Sequence, residues 1–115
     1  MKVLVCGSRN WTNAGAVHRE LIKLPPGTEI IHGGARGADR LAGIAAAKLG
    51  LAVKVFWANW DEYGRGAGII RNKQMIDENP DLVIAFTEDL ATSRGTADTV
   101  RRARSKEIET RVFNE

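Results

Sequence analysis

A chain of 115 residues with a formal charge of +3, 43% hydrophobic and 27% charged, has the make-up of one globular domain, large enough for a core and too small for two. No apolar run approaches the roughly 20 residues of a membrane span, and Met1-Lys2-Val3 enters a strand without signal-peptide architecture, so a cytoplasmic protein with no membrane partner is expected. The charge excess suits anionic ligands or nucleic acid but falls short of a polybasic tail, and the single cysteine, Cys6, excludes an internal disulfide.

Lys2 to Cys6 reads as a buried strand running into Gly7-Ser8-Arg9, small residues and a cation at a strand end. Thr12 or Asn13 can cap the next helix, whose apolar positions Ala14, Val17, Leu21 and Leu24 recur at helical spacing until Pro25-Pro26-Gly27 stops it. His18 within it reads as a surface or boundary residue. Thr28 to Ile31 is a second strand, and His32-Gly33-Gly34-Ala35-Arg36-Gly37-Ala38-Asp39 leads from it into an alanine-rich helix running from about Ala38 to Leu49. Glycines at such a turn let a ligand approach the main chain, while the helix start offers unpaired N–H groups and the positive end of a dipole. That is a place for an anion. Arg36 adds a guanidinium suited to phosphate, and Asp39 either accepts from a ribose hydroxyl or caps the helix. Neither common phosphate loop is matched: no Gly-Lys-Ser/Thr follows, and His32 stands where a dinucleotide fingerprint has its first glycine. Leu41, Ile44, Ala45 and Leu49 form the expected buried face of this helix, which Gly50 ends.

Leu51 to Trp57 is a third strand, followed by an irregular stretch from Ala58 to Gly68 that is dense in rings and charges. Trp57, Trp60 and Tyr63 serve there either to stack on a flat ligand or to pack and make subunit contacts. Ile69 to Asn79, carrying Arg71, Asn72 and Met75, is a helix closed by Pro80. The continuous apolar run from Asp81 to Phe86 is expected at the middle of the sheet. Ser93-Arg94-Gly95-Thr96 then opens a helix with Ala97, Val100 and Ala103 on one face. Its Arg101, Arg102, Arg104 and Lys106 read as a solvated face, with nucleic-acid contact as the lesser alternative. Glu109 to Phe113 is a short, polar edge strand.

This alternation defines an α/β class: a single compact Rossmann-like domain over residues 1–115, with a five-stranded, mostly parallel sheet of order 3-2-1-4-5 and helices on both faces. The carboxyl ends of strands 1, 2 and 4 meet where the connections reverse direction. A structural turn explains one glycine loop. It does not explain three loops bearing Arg9, Arg36, Arg94 and several hydroxyls at one edge.

Gly7-Ser8-Arg9, the Gly33 to Asp39 loop, the Tyr63-Gly64 and Ala67-Gly68 pairs before Arg71-Asn72, Pro80 to Phe86, and Ser93-Arg94-Gly95-Thr96-Ala97-Asp98 span nearly the whole chain. In that order they resemble the YspA-like, YpsA-related branch of the SLOG superfamily, which also includes LOG phosphoribohydrolases and DprA-type DNA-binding proteins. The resemblance implies a nucleotide or nucleotide-derived ligand held by Gly7, Ser8, Arg9, Gly33, Gly34, Ala35, Arg36, Gly37, Asp39, Arg71, Asn72, Ser93, Arg94, Gly95, Thr96 and Asp98. Backbone N–H groups of Gly33 to Gly37, with Arg36, would hold phosphate, and Asp39 or Asp98 would take ribose hydroxyls.

In LOG enzymes an arginine on the third helix and a glutamate after a Gly-Gly-x-Gly-Thr loop act on an N-glycosidic bond. Arg71 is similar to the first; Ser93-Arg94-Gly95-Thr96 replaces the glycine loop, and Asp98 and Thr99 stand where acidic residues would. A carboxylate shortened by a methylene is displaced by about 1 Å, enough to cost about a hundredfold in rate. Ligand binding by a sensor or sequestering protein is therefore expected ahead of hydrolysis with Arg71 and Asp98 as the catalytic residues, and single-strand nucleic-acid binding comes last. Trp57 and Ile69 stand where the family pattern has proline, a departure that would alter ligand selectivity. No cofactor is expected beyond Mg²⁺ carried by a ligand's phosphates, since His18, His32 and Cys6 lack ligand spacing. Self-association into a homo-oligomer is expected, with the number of subunits open.

Overall fold

In the computed structural model, which describes residues 1–115, five strands pair in the order β3-β2-β1-β4-β5 and every pairing is parallel. The strands are β1 (Lys2–Gly7), β2 (Glu29–His32), β3 (Ala52–Val55), β4 (Leu82–Phe86) and β5 (Glu109–Phe113). The helices are α1 (Ala14–Leu21), α2 (Ala38–Lys48), α3 (Trp60–Tyr63), α4 (Ala67–Asp77) and α5 (Arg94–Ser105). Alternate side chains of each inner strand enter opposite cores, as the pleat requires. Val3 and Val5 of β1 and Leu82, Ile84 and Phe86 of β4 pack with α1 and α2. Leu4, Cys6, Val83 and Ala85 pack with Met75 and Ile76 of α4 and Val100 and Ala103 of α5.

The apolar run of β4 is buried along its whole length, but β1, not β4, is the central strand. Two-sided burial marks both as interior, and only the chain's crossovers decide which is in the middle. The buried stripe of α2 is Ala38, Ala42, Ala45 and Ala46, whereas Ile44 is 48% exposed and Leu41 and Leu49 lie at the margin. Small side chains let this helix lie close to the sheet and to α1, so close approach, not residue size, sets its inner face. In α1 the exposed Ala14 gives way to Ala16, and in α5 Thr96, Thr99, Val100 and Ala103 go inward while Ala97 is half-buried.

The stretch after β3 is more ordered than its composition suggests. Asn59 caps the short α3 by accepting from the Glu62 N–H at 3.1 Å, a 3₁₀ turn spans Gly64–Gly66, and α4 starts at Ala67, two residues earlier than its apolar periodicity indicates. Trp11, in the loop after β1, is buried against Phe86 with ring centroids 5.6 Å apart. None of the helices is long and apolar enough to cross a membrane.

Gly7 closes β1 against its neighbours. A Cβ there would overlap the Phe86 carbonyl oxygen and lie 2.6 Å from the Ala38 Cβ. Gly7→Ala is therefore expected to lower the unfolding free energy by about 2–3 kcal/mol, read by urea denaturation.

Candidate functional site

The ends of β1, β2 and β4 lie at one edge because the three strands pair in parallel, and Ser8 ties the end of β1 to β4 and to the start of α2. Its N–H donates to the Phe86 carbonyl at 2.8 Å, and its own carbonyl accepts from Ala38 N–H at 3.1 Å, at the start of α2. Gly37 crosses this junction at φ 77°, and a Cβ on it would collide with the Ser8 carbonyl and lie 2.6 Å from the Arg9 backbone. Gly37 thus shapes the loop from beneath and does not line the cavity above it.

The loop from His32 to Asp39 is folded around the Asp39 carboxylate. Asp39 Oδ2 accepts from the N–H groups of Gly33 at 3.0 Å and Ala35 at 3.3 Å, and the Gly34 N–H donates to His32 Nδ1 at 3.0 Å. Three of the N–H groups expected to hold phosphate are thereby taken internally, because a carboxylate buried beside a glycine loop needs donors more urgently than the loop needs a ligand. The N–H groups of Arg36 and Gly37 find no acceptor within the protein. Burial raises the Asp39 carboxyl to about 6, against the opposing pull of the Ala35 N–H, Arg71, the Gly33 N–H and Arg9. Burial, with Arg71 close by, lowers the pKa of His32, which keeps Nδ1 free of a proton and able to accept.

A line of hydrogen bonds crosses from this loop to α5. Arg71 of α4 donates through Nη1 to the carbonyls of Gly33 and, at 3.4 Å, Phe56, and through Nε to Asn72 Oδ1 at 3.1 Å. Asn72 Nδ2 donates to the Gly95 carbonyl at 3.2 Å and to Asp98 Oδ2 at 3.3 Å. Asp98 also accepts from Arg102 Nε at 3.0 Å and pairs with Arg101. Arg71 is half-buried, and desolvation lowers its pKa while Asp39 opposes the change. Asp98 therefore faces Asn72 and two arginines of its own helix, outside the cavity.

That cavity, of about 460 Å³, is lined by Gly7, Ser8 and Arg9 from the first loop, Ala35, Arg36 and Asp39 from the second, Arg71 and Asn72 from α4, and Ser93 to Thr96 from the last. Gly33 and Gly34 line an adjoining recess instead. Cys6, Asn10, Met75, Thr92 and Thr99 also line the cavity and are additional to the residues expected. Met75 and Thr99 could have been found from helical spacing, four residues after Arg71 and three after Thr96. The Cys6 thiol, buried at the cavity floor, has its pKa pushed far up by desolvation and stays protonated.

Two helix starts border this space without side-chain caps. Ser93, at the α5 N-cap, turns its hydroxyl to Thr87 Oγ1 at 2.7 Å, and the N–H groups of Arg94, Gly95 and Thr96 have no protein acceptor. Gly37 likewise gives α2 no side-chain cap, although the Ala38 N–H is taken by the Ser8 carbonyl; α1 and α3 are capped by Asn13 and Asn59, and α4, starting after Gly66, is also without a side-chain cap. Arg9, Arg36 and Arg94 line the same cavity, and none is within ion-pairing distance of a carboxylate.

The profile of the YspA, cpYpsA-related SLOG family matches residues 1–63, which carry the first two loops of this edge. The chain belongs to this SLOG family. Gene 61 protein of Mycobacterium phage D29 is similar to this SLOG protein over nearly its whole length, 34% identical across 116 aligned positions that cover 93% of the chain and 91% of the relative. No solved structure matches it.

The Asp39 carboxyl gives the loop a pH signature. Its folded pKa of about 6 lies above the ordinary 3.8, so the folded chain holds the extra proton between those values. The stability it contributes is complete below about 3.8 and is lost as pH rises through about 6. Asp39→Asn removes this slope and should gain about 3 kcal/mol relative to wild type between about pH 4 and pH 7, measured by denaturant titration at each pH.

Proposed function

We propose that this protein binds a phosphorylated, nucleotide-derived ligand in the cavity at the carboxyl ends of β1, β2 and β4, as a sensor or sequestering protein. The observation that carries the reading is the pair of uncapped helix starts, α2 and α5, opening with arginines onto one concave space. Unsatisfied N–H groups and a positive dipole end favour an anion, and guanidinium groups add charge and bidentate geometry. Asp39 is the one carboxylate lining the space and it already accepts two N–H bonds, so a divalent cation would ride on the ligand's phosphates.

The wall is polar, and Ser8, Thr96 and the Asn72 amide are within it to orient a sugar. N-glycosidic hydrolysis would require Asp98 at the sugar, and its oxygens are engaged by Asn72, Arg101 and Arg102. Nucleic-acid binding through α5 would draw on the same two arginines. Binding without turnover therefore fits the arrangement best.

Native mass spectrometry of the freshly purified protein, followed by denaturation to release any small molecule, is the direct test. A copurifying nucleotide derivative is expected. Arg36→Ala and Arg94→Ala should each weaken its binding by about 1.5–3 kcal/mol, measured by calorimetry, as loss of a charged hydrogen bond predicts. Gly95 supplies a sharper check. A Cβ there meets nothing within 4 Å, so the fold itself does not require glycine. Gly95→Ala should leave thermal stability unchanged or higher while weakening binding, and equal affinity would remove the α5 start from the site.

A further inference from the structure

Beside the cavity lies a second recess of about 540 Å³, and the two share Arg9, Ala35, Arg36 and Arg71. Its distinguishing walls are Trp57 and Trp60, which are 71% and 51% exposed. Trp57 rests on the glycine loop: Gly34 is at φ 69°, and a Cβ on it would lie 2.6 Å from the indole Cε3. The ring is thus seated against backbone yet left largely open, in a chain whose third tryptophan, Trp11, is 4% exposed. Leaving two large indoles open to water forgoes burial free energy that the fold could have used.

We infer that this recess is the base lobe of a two-part site, where the flat heteroaromatic ring of the ligand stacks on Trp57 and Trp60 while its phosphorylated end lies at the α5 start. This rests on the binding reading above and adds the ligand's orientation and the residues that select it. A ring system with an anionic tail matches the wall, which combines aromatic faces with the guanidinium groups of Arg9 and Arg36. Those groups carry no carboxylate partner, and they sit between the two lobes, where they can meet both a ring face and a phosphate oxygen. Stacking is tolerant of base identity, so purines and pyrimidines should both register, the larger rings more strongly.

The test follows tryptophan fluorescence, with affinities measured by calorimetry, while AMP, CMP, ribose 5-phosphate and adenosine are added separately to the full chain, with the molecular mass measured in parallel by sedimentation. Trp11 is buried, and the Trp57→Leu and Trp60→Leu variants assign any ligand-dependent change to the two open indoles. Quenching by AMP, a smaller change with CMP, and tenfold to a hundredfold weaker AMP binding in Trp57→Leu or Trp60→Leu are expected, with ribose 5-phosphate affinity unchanged in both variants. Arg94→Ala should weaken AMP and ribose 5-phosphate together. AMP and ribose 5-phosphate binding equally well, with no effect of either tryptophan variant, would overturn the base lobe while leaving the phosphate site intact. Quenching by adenosine with no binding of ribose 5-phosphate would instead remove the phosphate site and keep the stacking lobe. Silence from all four probes would overturn both, and a dimer that dissociates in Trp57→Leu without nucleotide quenching would assign the recess to a subunit contact.

Discussion

The geometry of this edge depends on one buried carboxylate. Asp39 enters a nearly dry environment at the start of α2, and it is tolerable there only because the chain between His32 and Ala35 bends back to give it two N–H donors. That bend needs residues able to take unusual backbone angles or to accept close neighbours. Gly33 meets this need by leaving room for the Arg71 guanidinium, and Gly34 by a left-handed φ. Arg71 then grips the Gly33 carbonyl, and through Asn72 it fixes Gly95 and the start of α5. The two helix starts that open onto the cavity are therefore held at their separation by a single hydrogen-bonded line, with Asp39 at one end and Asp98 at the other.

This division of labour separates residues that build the site from those that face the open cavity. Asp39, Arg71, Asn72 and Asp98 are rich in internal partners, whereas the side chains of Arg9, Arg36, Arg94 and Thr96 make no hydrogen bond or ion pair within the protein. Under the proposed binding function, preorganisation of this kind would let a ligand meet groups that are already aimed, without a large ordering cost on binding.

Much of the fold was legible in the chain because parallel α/β units announce themselves locally. Apolar runs such as Leu82 to Phe86 cannot be surface strands, and Gly50 and Pro80 mark where helices stop. The order of strands followed from handed crossovers. What escaped depended on partners distant in sequence. The alanine face of α2 was obscured by the larger Leu41 and Ile44, and Trp11 sits in a loop with no periodicity to flag it. A glycine-rich pattern shows that N–H groups are available but not which acceptor claims them, so Asp39 and His32 took donors that spacing alone assigned to phosphate. Asp98 carried a readable signal: arginines three and four residues later on the same helix are the spacing of an intrahelical ion pair.

Helix α5 begins with N–H groups at Arg94, Gly95 and Thr96 that no part of the protein accepts, and Arg36 and Gly37 carry two more just ahead of α2, so an anion bound at this edge as proposed would stabilise the fold. By mass action, a ligand seated there raises the folded fraction with the logarithm of its concentration above Kd. Where unfolded chains are continuously degraded, a stability change of about 1–2 kcal/mol alters steady-state abundance several-fold. The lifetime of the chain would then follow the supply of its ligand, making persistence in the cell a readout in its own right.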